Sequence, residues 1–318
     1  MTHPLLDDKQ VELRILRTDA VHPVISGNKA YKLKYNLETA LKEGAGAVLS
    51  FGGAWSNHLH ALAYSCYLLR LPCIAVIRGE AELIPKSAML QDLQSWGCQL
   101  HFVTRKAYRL RDDPGWLATL REQFPNSYVI PEGGSSALAN PGLAELSWQL
   151  ESACQSDHWQ PDQVWCAVGT GGTLAGLING RKSDYQLMGV PVLKGADFLI
   201  QDICHKLAEA GDQHQALPEK CQLLLDGHWG GYGKVPPELL QEMQMLSDSL
   251  QSADGSPVPE LDPIYTGKLV SRFWRALQQD EIPRGSRIVL IHTGGLQGRR
   301  GYGLSWRDGR ALAEEALA

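Results

Sequence analysis

An α/β fold with mostly parallel sheets is what this sequence predicts, on three observations. Short β-like apolar runs alternate with stretches of helical periodicity along most of the chain, a pattern that favours parallel strands covered by helices. Three glycine-rich turns, Gly52-Gly53, Gly169 to Thr173 and Thr293-Gly294-Gly295, each follow a predicted strand. The region from the break at Glu132 through a helix to the polar stretch Gln155 to Pro161 reads as the crossing from one α/β unit to another.

The elements follow in order. Past the Ser26-Gly-Asn turn, Leu33, Leu37, Ala40 and Leu41 have helical spacing from Lys29 to a stop at Gly44. Ala47 to Phe51 reads as a strand closed by Gly52-Gly53, and Leu59 to Leu69 as a helix. Strands at Cys73–Ile77, Gln99–Val103 and Ser127–Ile130 alternate with helices at Ser87–Trp96 and about Gly115–Phe124. Glu132-Gly-Gly-Ser-Ser136 breaks the pattern before a helix from Pro141 to about Cys154. The second unit opens with the strand Gln163–Val168, the turn Gly169-Thr-Gly-Gly-Thr173 and a helix from Leu174. Further strands are expected at Gln186–Val190, Gln222–Leu225 and Arg287–Ile291, and helices at Asp197–Ala210, Pro237–Leu250 and Gly267–Leu277. Ser252 to Pro263 is a proline-rich loop.

Composition narrows the function classes. At 318 residues the chain can bury one large or two moderate cores. A net charge of −5 gives no reason to expect nucleic acid or an anionic membrane as partner. No apolar run reaches the length of a membrane span, and Met1 to Asp8 lacks the pattern of a secretory signal. The seven cysteines are scattered, odd in number and without C-x-x-C, which suits reduced core thiols and a cytoplasmic protein.

Three stretches can carry chemistry. Lys29 stands where a helix begins, against the positive end of its dipole. That placement and desolvation both favour the neutral amine that a Schiff base requires, although a solvated lysine after a turn would look the same. Gly169-Thr-Gly-Gly-Thr173 permits close backbone approach, and the helix after it offers N–H groups to an anion, a phosphate above all. It is neither a Walker A loop nor G-x-G-x-x-G, and a plain tight strand-helix turn has the same glycines. A nucleotide-binding oxidoreductase would also lack its acidic ribose partner at the expected spacing. Ser56-Asn57-His58 sits at a helix start, where Ser and Asn serve equally as caps. His58 and His60 lie on different sides of that helix, and no other His/Cys grouping has ligand spacing, so no metal is expected. Asp7-Asp8 and Asp112-Asp113 read as solvated loop carboxylates, and Arg299-Arg300 as exposed.

Together, Gly27-Asn-Lys-Ala-Tyr-Lys-Leu33, Gly52-Gly-Ala-Trp-Ser-Asn-His58, Gly169-Thr-Gly-Gly-Thr173, Asp262-Pro-Ile-Tyr-Thr-Gly-Lys268 and His292-Thr-Gly-Gly295 occur in one order. The chain thereby resembles the D-cysteine desulfhydrase and 1-aminocyclopropane-1-carboxylate (ACC) deaminase family of pyridoxal-phosphate enzymes. The resemblance implies the type II pyridoxal-phosphate fold, with two three-layer α/β domains and the cofactor between them. Residues 1–35 plus 145–318 would form the larger, cofactor-binding domain and 36–144 the smaller one. Lys29 would form the internal aldimine with pyridoxal 5'-phosphate and shuttle the α-proton. Asn57 would hydrogen-bond the cofactor's phenolic oxygen, Gly169, Thr170, Gly171, Gly172 and Thr173 would hold its phosphate, and Thr293 would meet its ring. Ser56 would meet the substrate carboxylate, with Asn57, His58, Trp55, Tyr232 and Tyr265 around the substrate, and Ser56 and Tyr265 also catalytic.

Family members that open the cyclopropane ring resemble one another in having Glu and Leu where this chain has Thr266 and Thr293, as the desulfhydrase-like members do. A carboxylate near the pyridine nitrogen strengthens the electron sink, whereas a hydroxyl only hydrogen-bonds, which suits loss of a good leaving group. The resemblance therefore implies a lyase acting on a small D-amino acid, D-cysteine first, in a homodimer. ACC deaminase and a non-catalytic pyridoxal-phosphate-binding protein are the alternatives. Tyr31 stands where arginine is common, and Ala54-Trp55 replaces a frequent Ile-Gln, so both positions bear on the substrate.

Overall fold

The computed structural model describes residues 1–211 and 216–306. In chain order it contains α1 (Pro4–Lys9), β1 (Glu12–Leu16), α2 (Asn28–Lys42), β2 (Ala47–Gly52), α3 (Asn57–Leu69), β3 (Cys73–Arg78), α4 (Ala88–Ser95), β4 (Gln99–Val103), α5 (Arg105–Tyr108), α6 (Pro114–Gln123) and β5 (Ser127–Val129). There follow α7 (Ala139–Ser156), β6 (Gln163–Val168), α8 (Gly172–Gly180), β7 (Gln186–Pro191), α9 (Leu199–Glu209), β8 (Cys221–Leu223), α10 (Pro237–Ser249), α11 (Thr266–Gln278) and β9 (Arg287–Ile291). The chain divides into two compact units, one of Met1–Asp19 with Leu143–Leu296 and one of Ala20–Gly142 with the segment from Gln297. This division falls inside α7, between Gly142 and Leu143. It groups residues 20–35 with the second unit, because Val24 and Leu33 belong to that unit's apolar core.

The first unit holds a five-stranded sheet in the order β1-β9-β6-β7-β8, parallel throughout. Every residue of β6 is buried, as in a central parallel strand covered on both faces. Trp165, Ala167, Val190, Ile288 and Leu290 pack on one face with Leu6 of α1, Leu246 of α10 and Leu269, Phe273 and Leu277 of α11. The Trp165 and Phe273 rings meet edge to face, with centroids 5.5 Å apart. α8 lies against β6 and β7. The strand β1 and the helix α1 are absent from the sequence reading. β1 pairs on one side with β9, buries Leu13 and leaves Glu12 exposed, so its apolar signal is weak. α1 is six residues long, below the span in which periodicity is legible, and it carries Asp7 and Asp8.

The second unit holds a four-stranded parallel sheet, β4-β3-β2-β5. Alternate residues of β2 and β3 serve two cores. Val48, Cys73, Ala75 and Ile77 pack with α2, α3 and α4, while Leu49, Phe51, Ile74 and Val76 pack with Leu120 and Phe124 around α6. This is a three-layer arrangement. Asp113 is exposed, as the sequence predicts, and it also caps α6 through a 2.8 Å hydrogen bond from Trp116 N. No helix among the described residues is long and apolar enough to cross a membrane.

Phe273 is fully buried at the centre of the first unit's core. Phe273→Ala should lower the unfolding free energy by about 3–5 kcal/mol in denaturant titrations. Met245→Ala, at a largely exposed side chain of α10, should stay within about 0.5 kcal/mol of wild type. Equal losses would contradict this core.

Candidate functional site

In the first unit, the site residues gather at the carboxyl edge of the sheet, where ligands of open α/β sheets bind. β6 ends at Val168 and the chain turns through Gly169-Thr-Gly into α8. Gly171 adopts φ 79° there, and a Cβ on it would lie 2.7 Å from Ile203, so the turn requires glycine on both counts. The first N–H groups of α8 have no carbonyl one turn back to bond, and they face the same direction as the helix dipole's positive end. Beside them stands the Tyr265 ring, within 3.1 Å of where a Cβ on Gly169 would be.

Tyr265 is the residue before α11, and its hydroxyl lies 3.5 Å from that of Tyr232, whose side chain is half exposed. Lys268, one turn into α11 and fully buried, donates from Nζ to Gly231 O at 2.8 Å and so fixes the loop that carries Tyr232. Burial pushes the Lys268 amine down to about 8 against the opposing pull of Asp262. Thr293 lies two residues beyond Ile291, which is level with Cys166 in the parallel pairing of β9 with β6. Thr293 and Val168 therefore share one sheet edge. His292 next to it is held by Nε2 at 2.6 Å from Glu260 O, and Thr18 Oγ1 donates to His292 O. Among the described residues, the Thr293 hydroxyl makes no hydrogen bond. The Thr266 hydroxyl does: it donates to Asp262 Oδ2 at 2.6 Å, both residues being buried. Thr266 thus helps to hold the turn ahead of α11.

In the second unit, α2 begins at Asn28 after Gly27, so Lys29 stands in its first turn, as the sequence predicts. Lys29 is half buried, and its Nζ lies 3.2 Å from Asn28 Oδ1. Lys32 follows one turn later on the same side of the helix. Its amine lies 3.3 Å from Ser135 Oγ and 3.4 Å from Gly133 O. The Ser56 hydroxyl caps α3 by accepting from Leu59 N at 3.2 Å. Trp55 is half buried with its ring over Gly301. Gly134 brings α2 and α3 together, since both His58 and the Lys32 stem border it. Lys29 and the Ser56-Asn57-His58 stretch are therefore neighbours within this unit.

The bonds around His58 fix its tautomer. Ser50 Oγ donates to Ile130 O at 2.7 Å, and it lies 2.8 Å from His58 Nε2. A carbonyl only accepts, so the Ser50 proton is committed to it and His58 donates from Nε2. That leaves a lone pair on Nδ1, which is buried and without a hydrogen-bond partner. Burial first, then the positive charges of Lys29 and Lys32, hold His58 well below the usual imidazole range. It is neutral at pH 7, an acceptor beside the lysines.

One residue that the sequence reading leaves on the surface, and one that it passes over, belong to this half. Arg300 is bound to Asp92 at 2.5 Å, and Gln297 Nε2 donates to Asn57 Oδ1 at 2.5 Å. Both lie more than two hundred positions from their partners, beyond the reach of any local pattern. His60 shares Asp92, at 3.1 Å. Burial raises the Asp92 carboxyl, but the bonds and charges of His60 and Arg300 outweigh it and hold the carboxyl below its ordinary value.

The family model for pyridoxal-phosphate dependent enzymes matches residues 8–294. The chain belongs to that family. Pyridoxal 5'-phosphate is its cofactor, and its relatives are lyases and deaminases. A Pyrococcus horikoshii protein, provisionally named 1-aminocyclopropane-1-carboxylate deaminase, is 31% identical over 297 residues, covering 92% of this chain and 87% of its own. A Salmonella paratyphi A protein named D-cysteine desulfhydrase is 30% identical over 298 residues, covering 89% and 87%. The crystal structure of an ACC deaminase homologue superposes with a TM-score of 0.78 at 27% identity, covering 99% of this chain and 91% of that one. The threonine deaminase of T.th., at 20% identity and a TM-score of 0.60, covering 93% of this chain and 91% of that one, shares the fold. This is the type II pyridoxal-phosphate fold that the sequence implies.

A histidine kept neutral in the folded state has a pH signature. The unfolded chain binds a proton on His58 near pH 6.5 and the folded chain does so at much lower pH, so stability falls as pH drops below about 6.5. His58→Asn retains an N–H donor for Ser50 and cannot titrate. Thermal unfolding from pH 7 to pH 5 should show a smaller loss in that variant than in wild type; equal losses would remove His58 from the balance.

Proposed function

We propose that this pyridoxal-phosphate enzyme catalyses α,β-elimination on a small thiol-bearing amino acid, D-cysteine first, with Lys29 as the residue that carries the cofactor. Water is consumed, and a 2-oxo acid, ammonia and sulfide are released. The observation that carries the choice is Thr293. At the sheet edge beside the Gly169–Thr173 turn, this chain presents a hydroxyl with no hydrogen bond among the described residues, where the family resemblance implies leucine in ring-opening members.

The residues on each unit suit the cofactor. Gly169 to Thr173 are a phosphate cradle by the close approach that their glycines permit and by the α8 N–H groups, each worth on the order of 1.5–3 kcal/mol to an anion. When bound, pyridoxal phosphate supplies an electron sink for charge developing at the substrate α-carbon. The protein supplies the rest. Lys29 moves the α-proton, and the neutral His58 beside it adds no further positive charge. Ser56 and the α3 N-terminus offer donors to the substrate carboxylate. Tyr265 and Tyr232 line the substrate region of the first unit, with Lys268 holding the Tyr232 loop.

The same reading includes a homodimer, from the family resemblance, and a cytoplasmic location. The second is supported by seven free, buried cysteines, which suit a reducing compartment.

Turnover of a panel containing D-cysteine, L-cysteine, D-serine and ACC decides the substrate. Sulfide release from D-cysteine should exceed ammonia release from ACC by at least about tenfold in kcat/KM, a difference of about 1.4 kcal/mol. The reverse order would make the chain an ACC deaminase, the activity in the Pyrococcus horikoshii relative's name. Bound cofactor with no turnover would make it a binding protein. Lys29→Ala should lose about 10²–10⁴ in rate, the usual cost of removing a proton-transfer group.

A further inference from the structure

The hydrogen bonds behind Asn57 run in one direction. Gln297 is buried, and its Nε2 lies 3.4 Å from Trp55 O as well as 2.5 Å from Asn57 Oδ1. Its Oε1 lies 3.3 Å from Arg300 Nη2. A carbonyl oxygen only accepts and a guanidinium only donates, so these two neighbours independently require the same orientation of the Gln297 amide. Gln297 must therefore present N–H to Asn57, and Asn57 must turn its oxygen toward Gln297.

Arg300 is itself immobilised. It donates to Asp92 at 2.5 Å and from Nε to Gln297 O at 3.1 Å, and its guanidinium lies 4.7 Å from the Trp306 ring centroid. Among the described residues, Asn57 Nδ2 has no hydrogen-bond partner, and Asn57 is half buried at the start of α3.

We infer that Gln297, oriented by Arg300 and Trp55 O, is a positioning residue that sets the polarity of the Asn57 amide and so presents its N–H₂ to an anionic oxygen. The inference rests on the proposed pyridoxal-phosphate function and on the role toward the cofactor's phenolic oxygen that the family resemblance implies for Asn57, and deepens both. A freely rotating asparagine would offer that oxygen a donor or an acceptor. Here one choice is made before the ligand arrives, without reorganisation at binding. The polarity originates in Arg300, which has no acceptor to offer.

Gln297→Glu tests this, because it keeps the shape and replaces the donor with acceptors. Asn57 must then donate backward and turn its oxygen outward. Two readouts apply. The dissociation constant of pyridoxal phosphate from the protein should rise about 10–100-fold, the loss expected for one hydrogen bond to a charged group. The pH at which the visible band of bound cofactor changes should move upward, because an unbonded phenolic oxygen makes the neighbouring nitrogen more basic. Gln297→Met, which removes the polarity without inverting it, should show smaller changes of the same sign, and it serves if the glutamate variant does not fold.

Asn57→Ala closes the cycle: with Asn57 gone, Gln297→Glu should change neither readout further. Wild-type affinity and band in Gln297→Glu, or effects that add in full to those of Asn57→Ala, would overturn the inference while leaving the enzyme assignment intact. A wild-type protein that takes up no pyridoxal phosphate would overturn the proposed function and this inference with it.

Discussion

A strand that enters a parallel sheet must leave it at the far edge, through a turn that delivers the chain to a helix. Both sheets of this protein are parallel throughout, so the constraint operates in each. In the first unit it places the Gly169 turn, the α8 N-terminus and Thr293 on a common edge. In the second it places Gly52-Gly53 and the start of α3 after β2, which is how Ser56, Asn57 and His58 come to stand at a helix N-terminus. The residues that tune chemistry are then few and local. Neither set would exist if the strands ran antiparallel, because tight hairpins would replace the strand-helix turns.

Polarity is the second theme. His58 is neutral and donates from Nε2 because Ser50 has already given its proton to Ile130 O. Asn57 turns its oxygen inward because Gln297 and Arg300 leave it no alternative. In both cases a group that can act in only one sense, a carbonyl or a guanidinium, decides what a two-sided group does several atoms away. Lys268 offers a contrast. Its amine is buried and lowered to about 8, yet it is committed to Gly231 O, so it holds a loop rather than a ligand.

The legibility of the sequence follows from the range of the interactions. The central strands were readable because burial on both faces makes them continuous apolar runs that stop at glycines, as Gln163–Val168 does before Gly169. Lys29 was readable as a helix start, though its importance came from motifs elsewhere in the chain. β1 was not readable, since an edge strand with one well-buried residue has hardly any pattern. Nor was the role of Gln297 and Arg300, whose partners Asn57 and Asp92 lie 240 and 208 residues away. Thr266, by contrast, sits in a motif legible in the sequence, but its hydrogen bond to Asp262 within the same turn is not.

Borohydride reduction of the protein loaded with pyridoxal phosphate, followed by proteolysis and mass spectrometry, locates the lysine that holds the cofactor. The label should fall on Lys29, at close to one per chain. A label on Lys32, Lys34 or Lys268 would contradict the assignment of the cofactor to the first turn of α2.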